Sequence, residues 1–303
     1  MRTKIIISLL IALAAADQSL LAADKLDTAQ IEQLTGLKGK LNEQENVFKV
    51  SAPRSDIKIS VDQWQMPPFM GLTSWAAFIP GKTEPAMVMG DLVLMQDEVN
   101  PVMSAALDNG LEVTALHNHF FYDEPKVYFM HIGGEGEADK LAKGVRAALD
   151  AVKQVRSRSH DPASSFGKPL GAENSITAAP LQQLLANKGE SKDGMFKAVF
   201  GRTAKMPCGC EVGKEMGVNT WAAFAGSDDN AVVDGDFVVA ADELQPVLKS
   251  LRHSGVNIVA IHHHMSHEEP RLLFLHYWGR GSARDLAAAV KSALSAAQTA
   301  SGK

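Results

Sequence analysis

Cysteine, excess charge of either sign and long apolar runs are all scarce in this 303-residue sequence, and each scarcity removes a class of protein. Only Cys208 and Cys210 occur, one glycine apart, so no disulfide framework holds the fold. The pair reads as an unusual vicinal-type bridge, two soft metal ligands, or two buried small residues. With 30 basic and 35 acidic residues the formal charge is −5, and no basic stripe exists to neutralise a phosphate backbone. Nucleic acid is thereby excluded as a partner. No nucleophile elbow, phosphate loop, dinucleotide fingerprint or serine-triad signature is present, which leaves acyl transfer and dinucleotide redox chemistry without support.

The one long apolar stretch, Ile5 to Leu13, falls short of the roughly 20 residues that span a bilayer. Arg2 and Lys4 precede it, and small residues follow at Ala14 to Ala16 and at Ala22-Ala23. This is the pattern of a signal peptide over residues 1–23, cleaved after Ala16 or Ala23. Neither site is followed by a lipid-bearing cysteine, so a free periplasmic or secreted protein without a transmembrane segment is expected.

What the sequence does have is an internal duplication. Gly71-Leu-Thr-Ser-Trp-Ala-Ala-Phe78 returns 146 residues later as Gly217-Val-Asn-Thr-Trp-Ala-Ala-Phe224. Gly90-Asp91 returns as Gly235-Asp236, and Asp97-Glu-Val-Asn-Pro-Val102 as Asp242-Glu-Leu-Gln-Pro-Val247, both at a spacing of 145. A period this long indicates two similar units packed as a pseudo-twofold pair, not a solenoid. The first repeat is placed at 24–156 and the second at 177–303. A linker rich in Ser, Pro and Gly joins them over 157–176.

Each repeat reads as an α+β unit, a mainly antiparallel sheet with two to three helices. A short helix is capped by Asp27 or Thr177 and ends near Gly39 or Gly189. Strands are predicted at Ile57–Val61 and Thr73–Phe78, and around Gly90-Asp91, where the glycine suggests a bend or bulge between two short strands. A helix capped by Asp97 or Asp242 carries Pro101 or Pro246 in its first turn and stops at Gly110 or Gly255. A β-hairpin follows at 111–132 and again at 256–277, and an amphipathic helix closes each unit, at 138–155 and 283–299.

Six of the ten histidines occupy matched places in these hairpins: His117, His119 and His131, and then His262, His264 and His276. Strand side chains alternate between faces, so His117 and His119 point the same way. With the turn near Asp123, His131 lies beside Ala115 on that face, and three imidazoles converge. Three neutral imidazoles form a first shell for zinc, copper, nickel or non-haem iron, leaving a further position for water or a carboxylate. Glu124 and Glu269, in the turns, are the candidate carboxylates, as ligands or as general bases on a metal-bound water, aimed by Pro125 and Pro270. The bland alternative is six hydrogen-bonded histidines on a half-buried sheet. In the second repeat His263 faces away, whereas His267, in place of Tyr122, is an extra ligand candidate.

Trp75 and Trp221 read as core anchors, because aromatic side chains dominate core burial. Asp91 and Asp236 read equally as turn residues or as acceptors behind the ligands. Met206-Pro-Cys-Gly-Cys210, with Met216 nearby, offers soft sulfur suited to copper. The H-x-H followed by Glu is similar to the first cupin motif, but the second cupin motif has no counterpart.

On the duplicated W-A-A-F segments, the Gly-Asp pair, the H-N-H and H-H-H strands and the E-P turns, the mature chain resembles the bacterial LppY and LpqO family, a domain of unknown function. The resemblance implies an exported protein and no particular reaction. This chain departs from the lipoprotein members in lacking the lipid-bearing cysteine. The expectation is a periplasmic metal-binding protein with a three-His plus Glu site in one or both repeats. A divalent metal is its cofactor, zinc first and copper second, and a small-molecule or cell-envelope ligand is its further partner. The alternatives are a metal-dependent hydrolase using Glu124 or Glu269 as base, and a non-enzymatic envelope-binding module.

Overall fold

A computed structural model describes residues 25–167 and 169–301. The signal peptide expected over 1–23 lies outside the described residues. Alternation builds the sheet. In Thr73–Pro80, Ser74, Ala76 and Phe78 are buried while Trp75 and Ala77 between them are half-buried, and Asn219–Gly226 repeats the pattern. Such period-two burial gives the strand one face for the main core and one for another use.

In the first repeat the large sheet is built from β1 (Gly39–Asn42), β2 (Val47–Pro53), β3 (Thr73–Pro80), β4 (Ala86–Met95), β5 (Glu112–His117) and β6 (Val127–Gly136). The second supplies β7 (Glu190–Lys192), β8 (Met195–Gly201), β9 (Asn219–Gly226), β10 (Ala231–Ala240), β11 (Asn257–His262) and β12 (Leu272–Gly281). Together they form one 12-stranded sheet in the order β1-β2-β3-β4-β6-β5-β11-β12-β10-β9-β8-β7, every pairing antiparallel. The order reads the same from either edge, and the repeats meet at β5 and β11.

Six α-helices among the described residues cover one face: α1 (Thr28–Thr35), α2 (Val99–Asp108), α3 (Ala138–Arg158), α4 (Ala178–Leu185), α5 (Leu244–His253) and α6 (Ala283–Ser301). Their apolar stripes share one continuous core with Phe78, Val88, Leu92, Phe224, Val233 and Tyr277 of the sheet, so the repeats are not separately cored. On the opposite face the chain between β2 and β3 folds back and forms a small second core of Ile59, Met66, Leu72, Val93 and Phe129. The chain between β8 and β9 does the same, with Ala204, Val212, Val218, Val238, Leu272 and Phe274.

The seam between repeats is reciprocal. Asn100 of α2 bonds both backbone groups of Ile258 in β11, accepting from its N–H at 2.7 Å and donating to its carbonyl at 3.1 Å. Gln245 of α5 does the same to Val113 of β5, at 3.0 and 2.9 Å. Both strands change register at these points, between Val113 and Ala115 and between Ile258 and Ala260. The amides complete a ladder that the irregularity interrupts.

Several local expectations are corrected. Gly90 and Gly235 lie inside uninterrupted strands, β4 and β10, with unbroken pairing on both sides. The glycine serves packing instead of a bend: a Cβ on Gly235 would lie 2.2 Å from the Tyr277 ring and 2.4 Å from the Trp221 carbonyl oxygen. Asp97 and Asp242 do not cap α2 and α5: the N-cap positions fall on Glu98 and Glu243, and neither of those side chains bonds a helix N–H. Glu98 and Glu243 are buried and accept from the Met95 and Ala240 backbone N–H, each at 2.8 Å, while pairing with Arg54 and Arg202. Asp97 instead binds the linker, through Ala163 N–H at 3.0 Å. The short helices end at Thr35 and Leu185, ahead of Gly39 and Gly189, and only Ser60–Val61 of the strand expected over 57–61 forms. Asp27 does cap α1, accepting from Gln30 N–H at 2.9 Å.

Candidate metal centre

The pleat aligns the site. Asp236 on β10 stands opposite Trp221 on one neighbour and His276 on the other, and His276 stands opposite Ala260 on β11. Cross-strand partners share a face, so Trp221, Asp236 and His276 form a row on the side away from the helices. His262, opposite Phe274, is the last residue of β11, and His264 lies two residues on. The His264 ring lies flat on Phe274, with centroids 3.6 Å apart and planes 11° apart. Phe274 belongs to the small second core, so the excursion between β8 and β9 fixes the platform on which the imidazole rests.

Asp236, His262 and His264 each offer one ligand atom, and these atoms all lie within 4.8 Å of one another. Asp236 Oδ2 is 3.2 Å from His264 Nε2 and 3.9 Å from His262 Nε2, and the two Nε2 atoms are 3.1 Å apart. With His264 Nδ1 donating to the Gly217 carbonyl at 3.2 Å, Nε2 is the lone-pair nitrogen of the neutral ring, the form that ligates metal. A carboxylate oxygen and an imidazole lone pair thus face each other, an arrangement that a cation between them turns from repulsive to binding. Asp236 Oδ1 and His262 Nδ1 are buried without a hydrogen-bond partner. His276 adds a third imidazole, stacked on His262 with centroids 4.8 Å apart and donating from Nδ1 to the Gly235 carbonyl at 3.3 Å. The His262 and His264 side chains keep 30% and 31% of their exposure against 4% for Asp236, so the group is seated in protein on one side and open on the other.

Burial holds the His262 imidazole below its usual value; Asp236 pulls it back up, and His276 and His264 lower it further. His119 is lowered by burial and by His117, against Asp91. Both shifts favour the neutral ring, the form that ligates metal.

In the first repeat the same row runs Trp75, Asp91, His131 and Ala115. The His117 ring centroid lies 5.1 Å from both His119 and His131, His119 is stacked on Phe129 at 3.3 Å, and Asp91 Oδ1 is buried without a partner. Among the described residues, the ligand atoms that come together most closely are those of the second repeat, Asp236, His262 and His264.

Neither Glu124 nor Glu269 enters that group. Both side chains are exposed, and their backbones pair with Ser60 and Lys205. The buried carboxylate of each turn is the preceding residue, Asp123 or Glu268, which accepts from Val127 N–H at 2.7 Å or Leu272 N–H at 2.9 Å. Alternation sends the next side chain outward, and the acid beside the histidines comes from β10 instead. Asp236 was visible in the sequence as a repeated residue after glycine; its strand partner was not. His263 is exposed, with Nδ1 donating to the Leu272 carbonyl at 3.1 Å, and His267 is exposed in the turn. Trp75 and Trp221 are not core anchors. They stand half-buried on the face away from the helices, with the Lys49 and Lys197 ammonium groups 4.1 and 4.3 Å from their ring centroids. Cys208 and Cys210 are free and exposed, which removes the bridged and buried readings, and they lie in the turn beyond Lys205.

The family described as Domain of Unknown Function (DUF1259) matches residues 29–151 and again residues 179–296. No curated protein matches the chain. Among solved structures, similarity is found to a trimeric bacterial microcompartment shell protein, PduB, at 11% identity over 86% of this chain and 90% of that one, with a TM-score of 0.23. A second is the double-ringed trimeric shell protein MSM0271 from the RMM microcompartment, at 10% identity over 86% and 96% of the two chains, with a TM-score of 0.18.

Proposed function

We propose that this chain, which belongs to the DUF1259 family and carries its domain twice, is an exported metal-binding protein whose principal centre is Asp236, His262 and His264. The observation that carries the reading is the convergence of one carboxylate oxygen and two imidazole nitrogens within 4.8 Å, with buried polar atoms left unpaired around them. Two imidazoles and a carboxylate suit zinc, with copper second, and His276 stands close enough to join or to orient the set. His117, His119 and His131 with Asp91 form a second, weaker site. The likeness to the LppY and LpqO lipoproteins and the basic, apolar leader over 1–23 support a place in the cell envelope.

A second reading, a metal-dependent hydrolase, is favoured by one observation. A cleft of about 480 Å³ lies against Asp236 and His264, on the open side of the group. Three protein ligands would leave an open position on such an ion, and the chemistry it would supply is activation of water near neutral pH. Asp236, His262 and His264 would hold the ion and Gly217 would orient His264.

Elemental analysis of the purified protein tests the reading. Wild type is expected to carry close to one zinc per chain at this centre, lost in Asp236→Ala and in the His262→Ala/His264→Ala pair. The His117→Ala/His119→Ala pair is expected to leave that ion in place. A wild-type protein that holds no metal and takes up none on addition would overturn it.

A further inference from the structure

The lysine over the tryptophan is repeated with the site. Lys49 Nζ lies 4.1 Å from the Trp75 ring centroid, and Trp75 stands opposite Asp91; Lys197 Nζ lies 4.3 Å from that of Trp221, which stands opposite Asp236. In each repeat, ammonium, indole, carboxylate and histidine therefore follow one another across the same face. An indole face holds a cation by its quadrupole and uses none of the ammonium's three donors. The lysine is held over the indole with its donors unspent, and its charge is felt by Asp234, two strands across the same face.

The second repeat adds what the first lacks. The cleft of about 480 Å³ is lined by Lys197, Lys214, Asn219, Trp221, Asp236 and His264. Lys214 belongs to the short helical turn Lys214–Met216, whose counterpart in the first repeat, Pro68–Met70, begins with proline. Two lysines therefore line the cleft of the second repeat, whereas the first repeat has a proline in place of Lys214. The acid at its rim, Glu215, is 87% exposed and 3.5 Å from Lys214 Nζ, an ion pair in solvent that a better placed anion displaces.

We propose that this cleft binds the oxyanion of a small molecule, a carboxylate or phosphate group held by Lys197 and Lys214 over the Trp221 ring, and so sets the rest of that molecule beside Asp236, His262 and His264. The inference rests on the metal reading for what the cleft serves, and on the two lysines alone for what it binds. Lysine is suited to this task as a compact charge with donors that turn to meet the ligand. A cation bound to Asp236 would strengthen the positive field that the two lysines already set over the cleft.

The test is calorimetric titration of the full-length mature protein with inorganic phosphate and, separately, acetate, with metal content measured on the same samples. Wild type is expected to bind one anion per chain. Lys197→Met/Lys214→Met is expected to bind it at least about tenfold more weakly with metal content unchanged, and Lys49→Met to match wild type. Wild type that binds neither anion, or a double variant that binds as wild type does, would overturn the proposal. If wild type holds no metal, the metal reading fails by itself, and anion binding to the metal-free protein still decides the role of the lysines.

Discussion

Single carboxylates in this chain are assigned different tasks by burial and partner. Glu243 has a 2% exposed side chain and accepts from Arg202 Nη2 at 2.8 Å and from Ala240 N–H at 2.8 Å, with the Ser301 hydroxyl alongside. Burial by itself would raise its pKa, but the guanidinium, the hydroxyl and the backbone donor outweigh that and hold it below the ordinary carboxylate value of 4.5. A carboxyl lowered on folding contributes stability that is fully present above its unfolded pKa and is lost as pH falls through the folded one. Thermal unfolding is therefore expected to show a loss of stability below about pH 4.5 that is smaller in Glu243→Gln. At neutral pH that variant is expected to be less stable by about 3 kcal/mol, the lower end for a broken buried pair, because Arg202 keeps partial access to water. Its neighbour Asp242, also a carboxylate residue, is exposed. The repeated Asp-Glu pair was legible in the sequence, but which of the two turned inward was not, since that depends on where the strand ends and the helix begins.

At the scale of elements, the seam between β5 and β11 is the joint on which the long sheet depends. Asn100 and Gln245 each satisfy two backbone groups of the other repeat at a point where the ladder is irregular. Asn100→Ala leaves the Ile258 N–H and carbonyl unpaired, and Gln245→Ala does the same to Val113. Each is expected to cost about 1–3 kcal/mol per group left without a partner, read as a lower urea midpoint with an unchanged slope. Neither residue touches the metal group, so metal content is expected to stay at the wild-type level. The hairpin strands, the closing helices and Pro101 and Pro246 in the first turns of α2 and α5 followed from hydrophobic period and turn residues. Gly90 and Gly235 misled, because glycine inside a strand signals a bulge or a close approach equally well. Tyr277, far along the chain, decides for the second by filling the space above Gly235.

At the scale of the whole molecule, two alike halves are made unlike by what crosses them. The linker docks through Gln96, whose amide donates to the Ala163 carbonyl at 2.7 Å, and through Asp97. Its Phe166, Pro169 and Leu170 then wall a second cleft, of about 820 Å³, beside His276 and Trp278. One linker serves one repeat, so the second site is flanked by chain on both sides, by the linker at His276 and by Lys214 at His264. The shared core makes the halves dependent on each other. Residues 177–303 expressed alone would expose the β11 edge and half of the apolar core, and are expected to aggregate or to pair with a second copy through that edge. Light scattering and circular dichroism check this; a folded monomer would contradict it.

The sequence by itself determined the duplication, the antiparallel α+β character of each half and the histidines that recur in the hairpins, because these rest on local period and on identity at fixed spacing. Only the tertiary structure decided which acid meets those histidines. Asp236 lies 26 residues before His262 in the chain and reaches it through two strand pairings, while Glu269, five residues after His264, is turned outward by the pleat. The two lysines over the cleft come from β8 and from a turn between strands. No spacing marks them as neighbours, since proximity across a sheet is set by strand order, and strand order is a property of the packed whole.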